Sequence, residues 1–157
     1  MLKLKFKANP LGPGLSALIL LLCLGTVFYP CPARSGDAMH FAAYHGRADK
    51  VREYIDRGVD VDERDSYGAT ALHAAMFQNN IRIIRMLIDA GYDVNAQGTE
   101  NGFTPLHDAV WANNLQGAKL LIASGARLDI RDKKGQTPYD KAVAEGRTGM
   151  LEVLKGN

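Results

Sequence analysis

The chain has 157 residues, 46% hydrophobic, 23% charged and 8% aromatic, with a formal net charge of +2. This balance excludes a disordered or collagen-like chain and suits one domain rather than two. Three of the 19 basic residues and none of the 17 acidic ones fall in residues 1–33, leaving the rest near −1. Without clustered Lys and Arg to displace counterions, no nucleic-acid partner is expected.

The first predicted element is a leader. Lys3, Lys5 and Lys7 precede Pro10 and Pro13, and an uncharged run follows from Leu15 to Tyr29. A basic start and a short apolar stretch form the pattern of a secretory signal peptide, predicted over residues 1–33. As a helix the apolar run reaches roughly 22 Å, short of the ~30 Å hydrocarbon core. Small residues allow cleavage before Arg34 (Cys31 and Ala33) or before Gly36 (Ala33 and Ser35). Left uncleaved, the segment is a signal anchor and the chain's one membrane association, its lysines held in the cytosol by the positive-inside rule. Residues 37–157 are then expected outside the cytosol, in the periplasm, anchored at the inner membrane facing it, or secreted. Cys23 and Cys31 both lie in the leader, and neither follows the small residues of a lipoprotein cysteine. Cleavage after Ala33 leaves a domain without disulfides, held by packing alone.

Beyond the leader the chain repeats itself. Histidine recurs at His40, His73 and His107, spaced 33 and 34, and Asp140 takes the place 33 further on. Thr70-Ala71-Leu72-His73, Thr104-Pro105-Leu106-His107 and Thr137-Pro138-Tyr139-Asp140 surround these positions, and Gly46, Asn79, Asn113 and Gly146 follow in step. Leu87-Ile88-Asp89-Ala90-Gly91 returns as Leu121-Ile122-Ala123-Ser124-Gly125. Several markers on one period predict a solenoid. Each unit reads as helix, turn, helix and short loop. Thr70 and Thr104 stand at N-cap positions, with Pro105 in the first turn. Gly46 and Gly146 end the first helix in the left-handed region, and Asn79 and Asn113 are expected to substitute there because Asn tolerates it. Ile84, Leu87 and Ile88 form the apolar face of a second helix that stops at Gly91.

Thr-Pro-Leu-His, the paired alanines and the 33-residue period resemble ankyrin repeats. The resemblance covers residues 37–157 as four units, about 37–64, 65–98, 99–131 and 132–157. It implies an all-α solenoid of four helix-turn-helix units with short β-hairpin-like loops. Unit 1 lacks its opening turn and carries Asp37 where threonine is usual; unit 4 has Tyr139-Asp140 for Leu-His and ends after its second helix. Such departures mark capping repeats. Gly98 is a single inserted residue between units 2 and 3. Asp108 and Lys141 stand where the family prefers leucine, which predicts looser packing there.

The chemistry-bearing residues read as structural. Equivalent histidines of stacked repeats lie roughly 10 Å apart, whereas one zinc needs nitrogens near ~2.1 Å. In the resembled family this histidine bonds backbone groups of neighbouring loops. His45 falls outside the pattern and is expected exposed. Ser66 and Ser124 are the only serines beyond residue 37, without a nucleophile elbow, and no Gly-x-Gly-x-x-Gly or Walker sequence is present. No catalysis, metal or cofactor is therefore expected. The charges at Asp60, Asp62, Glu63, Arg64 and Asp65 read as a solvated turn.

In ankyrin repeats the inner helix ends and loop tips line a concave surface that holds partners. The exposed inner-helix position falls here on Tyr44, Phe77, Trp111 and Ala144, and neighbouring tips carry Tyr67 and Phe103. Arg64, Gln97, Arg131, Lys133 and Lys134 are expected to flank this groove. The partner-binding set is thus Tyr44, Tyr67, Phe77, Phe103, Trp111, Arg131, Lys133 and Lys134, since aromatics dominate interface energetics. The expected role is a monomeric, non-catalytic module that binds a partner protein outside the cytosol. Its alternatives are an inhibitor or immunity protein that occludes an enzyme, and a secreted effector acting on host proteins.

Overall fold

The computed structural model describes residues 35–156. The predicted leader, its cleavage sites, Cys23 and Cys31 lie outside the described residues. Among the described residues eight α-helices follow one another: α1 (Ser35–Tyr44), α2 (Ala48–Asp56), α3 (Ala71–Ala75), α4 (Ile81–Asp89), α5 (Pro105–Trp111), α6 (Leu115–Ala123), α7 (Pro138–Ala144) and α8 (Thr148–Lys155). No strand occurs among the described residues, so the hairpin-like loops are turns without a ladder. They close through short pairs, the Asp65 amide donating to the Ala69 carbonyl at 3.0 Å and Asp132 to Gln136 at 2.9 Å. No described helix is long and apolar enough to cross a membrane.

The odd-numbered helices stack on one another as an inner row and the even-numbered ones as an outer row. Small residues permit the close inner stack: Ala42, Ala43, Ala75, Ala109 and Ala142 are all buried. Bulk comes from the seam between the rows, where Met39, Leu72, Met76, Ile84, Leu87, Leu106, Val110, Leu121 and Met150 are sealed from solvent. One unit has too little apolar surface to fold by itself, so stability resides in these nearest-neighbour contacts.

Local chemistry sets the helix ends. Thr70, Thr104 and Thr137 sit in extended backbone at the N-caps of α3, α5 and α7, with proline opening the latter two. Asp37 lies inside α1 rather than at a cap. After the inner helices, Gly46, Asn113 and Gly146 adopt φ of 70°, 54° and 65°. The next amide then reaches back five residues, Arg47 to Ala42, Asn114 to Ala109 and Arg147 to Ala142. Asn79 departs from the expected left-handed geometry. Its unit leaves the helix at Ala75 and turns through i→i−3 bonds from Met76, Phe77 and Gln78, so no left-handed residue is required.

The inserted Gly98 is absorbed within its own turn, its amide bonded to the Phe103 carbonyl and its carbonyl to the Gly102 amide. The adjacent tip tolerates only glycine at position 68. There φ is +71°, and an added Cβ would fall 1.6 Å from the Thr99 hydroxyl.

Unit-to-unit hydrogen bonds supplement the apolar stack. Asn114, 1% exposed, caps α6 by accepting from the Gly117 amide at 2.7 Å while its Nδ2 donates to the Met76 carbonyl of the preceding unit at 3.0 Å. Arg147 repeats the device more weakly, Nη2 to the Trp111 carbonyl at 3.3 Å. Asn114→Ala removes a cap and strands a buried carbonyl, so a loss of about 2–3 kcal/mol is expected. Urea denaturation checks it, and a midpoint unchanged from the native protein would show that the bond is replaced by solvent.

Candidate functional site: an aromatic groove on the inner helices

The histidine of each unit ties its helix to the next loop. His73 Nδ1 accepts from the Thr70 amide at 3.1 Å, which leaves Nε2 to carry the proton and donate to the Phe103 carbonyl at 3.0 Å. His107 does the same between the Thr104 amide and the Gln136 carbonyl, and His40 Nε2 lies 2.7 Å from the Ala69 carbonyl. Burial pushes the His73 imidazole down to about 4 and lowers that of His107. In the fourth unit the place of the histidine is taken by an acceptor-only side chain. Asp140 accepts from the Thr137 amide at 3.0 Å and is half exposed. These contacts match the backbone-bonding role that the resemblance implied. No group of His, Cys, Asp or Glu able to hold a metal occurs among the described residues.

This register fixes what the inner face presents. Positions one and four beyond each histidine lie on one side of the helix, because residues three apart are neighbours on its surface. The fourth positions are Tyr44, Phe77 and Trp111, whose rings form a continuous row. Tyr44 and Phe77 centroids are 5.7 Å apart, and Phe77 meets Trp111 edge-on at 5.6 Å. Tyr44 is 46% and Trp111 54% exposed, with Phe77 half buried between them. The first positions are Phe41, Ala74, Asp108 and Lys141. Together with Tyr67 at a loop tip, the first three members of each column line a groove of about 620 Å³, and Lys141 lies outside it.

The sequence-predicted residues divide accordingly. Tyr44, Tyr67, Phe77 and Trp111 share the groove. Phe103 does not line it. Its ring stacks on the His107 imidazole at 5.4 Å, under the Lys141 ammonium at 4.6 Å. Arg131, Lys133 and Lys134 also lie outside the lining. The Arg131 guanidinium donates to the Gly135 carbonyl at 2.6 Å, and Lys133 Nζ to the Thr99 carbonyl at 2.6 Å. Lys134 is exposed at its tip, where its amide donates to the Asp132 carboxylate.

The expected polar flank is a ladder between loops. Arg64 donates to the carbonyls of Gly68 and Gln97, and Gln97 Nε2 donates in turn to those of Gly102 and Arg131. Spacings of 33 and 34 residues make this a repeated strap in which the side chains are committed to structure.

Among the lining residues that the sequence reading did not name as site residues, Phe41 and Asp108 stand on the inner helices beside predicted aromatics. Their signal was present: each stands three residues before a predicted aromatic, on the same helix side. Phe41 is 51% exposed, packed on the His45 ring and beneath the Arg47 guanidinium. Asp108 is 6% exposed and its carboxylate makes no hydrogen bond or ion pair among the described residues; its oxygens still reach solvent, the one sealed and unpaired side-chain oxygen there being Asp132 Oδ2. Burial pushes it up to about 7, with Lys141 opposing the shift and Asp65 adding to it.

Comparison with known proteins agrees with this architecture. A family described as ankyrin repeats in three copies matches residues 15–98 and 39–132. The chain is similar to cyclin-dependent kinase inhibitor 2A of Monodelphis domestica, 32% identical over 121 residues, covering 77% of this chain and 70% of that protein. It is also similar to tyrosine-protein kinase Shark of Drosophila melanogaster, at 33% over 74% of this chain. A third relative is ankyrin repeat and KH domain-containing protein 1 of Homo sapiens, at 32% over 64%. The chain spans only 12% of the kinase and 4% of the KH-domain protein. Repeats of this kind are protein–protein interaction modules without catalytic machinery of their own. A period of 33, four stacked helix pairs, histidine-to-loop bonds and the family match converge: the chain belongs to the ankyrin-repeat family.

Proposed function

We propose that the chain is a non-catalytic, exported module that binds a partner protein through its concave face. The observation that carries this reading is the Tyr44–Phe77–Trp111 row. Three adjoining aromatics are spent on a face where the core does not need them, two of them about half exposed. A contiguous apolar patch beside a groove is the usual mark of a contact surface. Export rests on the basic and apolar pattern of residues 1–33, and its readout is the N-terminus of the mature protein.

Capture from a periplasmic extract, with native protein beside Phe77→Ala/Trp111→Ala, tests the binding face. A stoichiometric protein held by the native form and lost by the variant is expected, since central aromatics commonly carry ~2 kcal/mol or more each. Equal capture by both, with circular dichroism showing both folded, would move the binding surface to the loop tips or outer row.

A second reading is that the module inhibits an enzyme. It is favoured by the relative that is named as a kinase inhibitor, of which this chain covers 70%. Tight 1:1 binding with loss of the captured protein's activity would distinguish it from an adaptor.

A further inference from the structure

Asp108 stands in the first turn of α5, where a helix favours an anion, but in a place nearly closed to water. A carboxylate 6% exposed normally has hydrogen bonds or a counterion, because burying an unpaired charge is costly. Among the described residues Asp108 makes no hydrogen bond or close ion pair, Lys141 acts on it only at longer range, and its oxygens are not sealed from solvent but open on the groove that it lines with Trp111. The nearest cation of its own column, Lys141, is engaged elsewhere: its ammonium pairs with Glu145 at 3.1 Å and sits over the Phe103 ring at 4.6 Å. The other charged residues of the lining are Asp65 and Glu100, both acidic, and the lining includes no Lys or Arg. Phe77 and Trp111, whose ring faces attract cations, line the same groove. Ala74, in the equivalent place one unit earlier, is small and half buried.

We propose that the groove takes an extended partner segment bearing one lysine or arginine between apolar residues, its cation seated on the Asp108 carboxylate beside Phe77 and Trp111. Charge complementarity selects this occupant: an acidic or purely apolar segment would leave the carboxylate buried and unpaired. The aromatic row takes the flanking apolar side chains, and the basic side chain neutralises the floor. This assignment rests on the reading of the groove as the partner site and adds the chemistry it selects.

The test is selection of nine-residue peptides from a random display library against the full chain. Binders are then synthesised with each basic residue replaced by its uncharged analogue, citrulline for arginine or acetyl-lysine for lysine. Selected peptides are expected to carry a lysine or arginine between apolar residues. Neutralising it should weaken binding at least about tenfold to the native protein, as buried charge pairs do. Against Asp108→Asn, which keeps the shape, the same exchange should matter less than about twofold. Phe77→Ala/Trp111→Ala should abolish binding of both forms.

Binders that depend on the aromatic pair but show no basic preference would overturn the cation assignment and leave the groove as a binding site. Binders indifferent to the aromatic pair, or no binders at all, would overturn both. A charge effect that persists undiminished in Asp108→Asn would assign the cation to Asp65 or Glu100 and overturn the role of Asp108.

Discussion

Asp108→Leu is expected to stabilise the protein by about 4 kcal/mol at pH 8, and by little at pH 4. The carboxyl titrates at about 7 in the folded chain against an ordinary 3.8, chiefly because burial disfavours its charge. A folded-state value raised in this way means that the folded protein binds the proton more tightly than the unfolded chain. The stability it contributes is therefore complete below 3.8 and is lost as pH rises through about 7. Above that the native fold carries an ionised carboxylate that keeps little of its solvation. Leucine removes the penalty and restores the residue type common at this place in the family. For a domain of this size the gain should raise the melting temperature by about 10 °C or more. Melting curves at pH 4, 6 and 8 check it, and equal shifts at all three would show that the gain is packing rather than charge. If the carboxylate seats a partner's cation, the stabilised variant should also lose its basic peptides, a common exchange of stability for function.

Much of the fold was legible because the repeat ties local signals to one period. Thr70, Thr104 and Thr137 cap helices for the same reason, and each is followed at the third helical position by the side chain that binds its amide. The site was legible only in part. The aromatic column could be read off the period, since one position per unit needs no knowledge of how units pack. Phe103 could not: only the stack shows its ring lying on His107 beneath Lys141. Arg64 and Gln97 read as charged or polar rim because their acceptors are carbonyls a whole unit away, which composition does not reveal. Asp108 was visible as a departure from the family's leucine, but its place in the groove depends on neighbouring units. Asn79 misled because asparagine tolerates the left-handed region without requiring it.

The opposite pH behaviour is expected at His73. Its ring is held in one tautomer from both sides, by a backbone donor at Nδ1 and a backbone acceptor at Nε2. Protonation would place a second N–H against the Thr70 amide in a site 2% exposed, and burial holds the imidazole down at about 4. The unfolded chain takes that proton near 6.5. The contribution is thus complete above 6.5, falls as pH drops through the interval down to about 4, and amounts to about 3 kcal/mol. Between 4 and 6.5 this loss and the relief at Asp108 have opposite slopes, so the native protein should change little in stability there. Asp108→Leu should expose the histidine slope, about 1.4 kcal/mol per pH unit. His73→Ala removes both bonds and leaves the Thr70 amide and Phe103 carbonyl without their partner, a cost of about 3 kcal/mol at pH 7.5. At pH 4.5 much of that deficit should vanish, because the native protein itself then bears the protonation cost. Urea denaturation at the two pH values decides the matter. A deficit of the same size at both would mean that His73 is protonated without strain, and that the ring acts as a spacer between units rather than a neutral bridge.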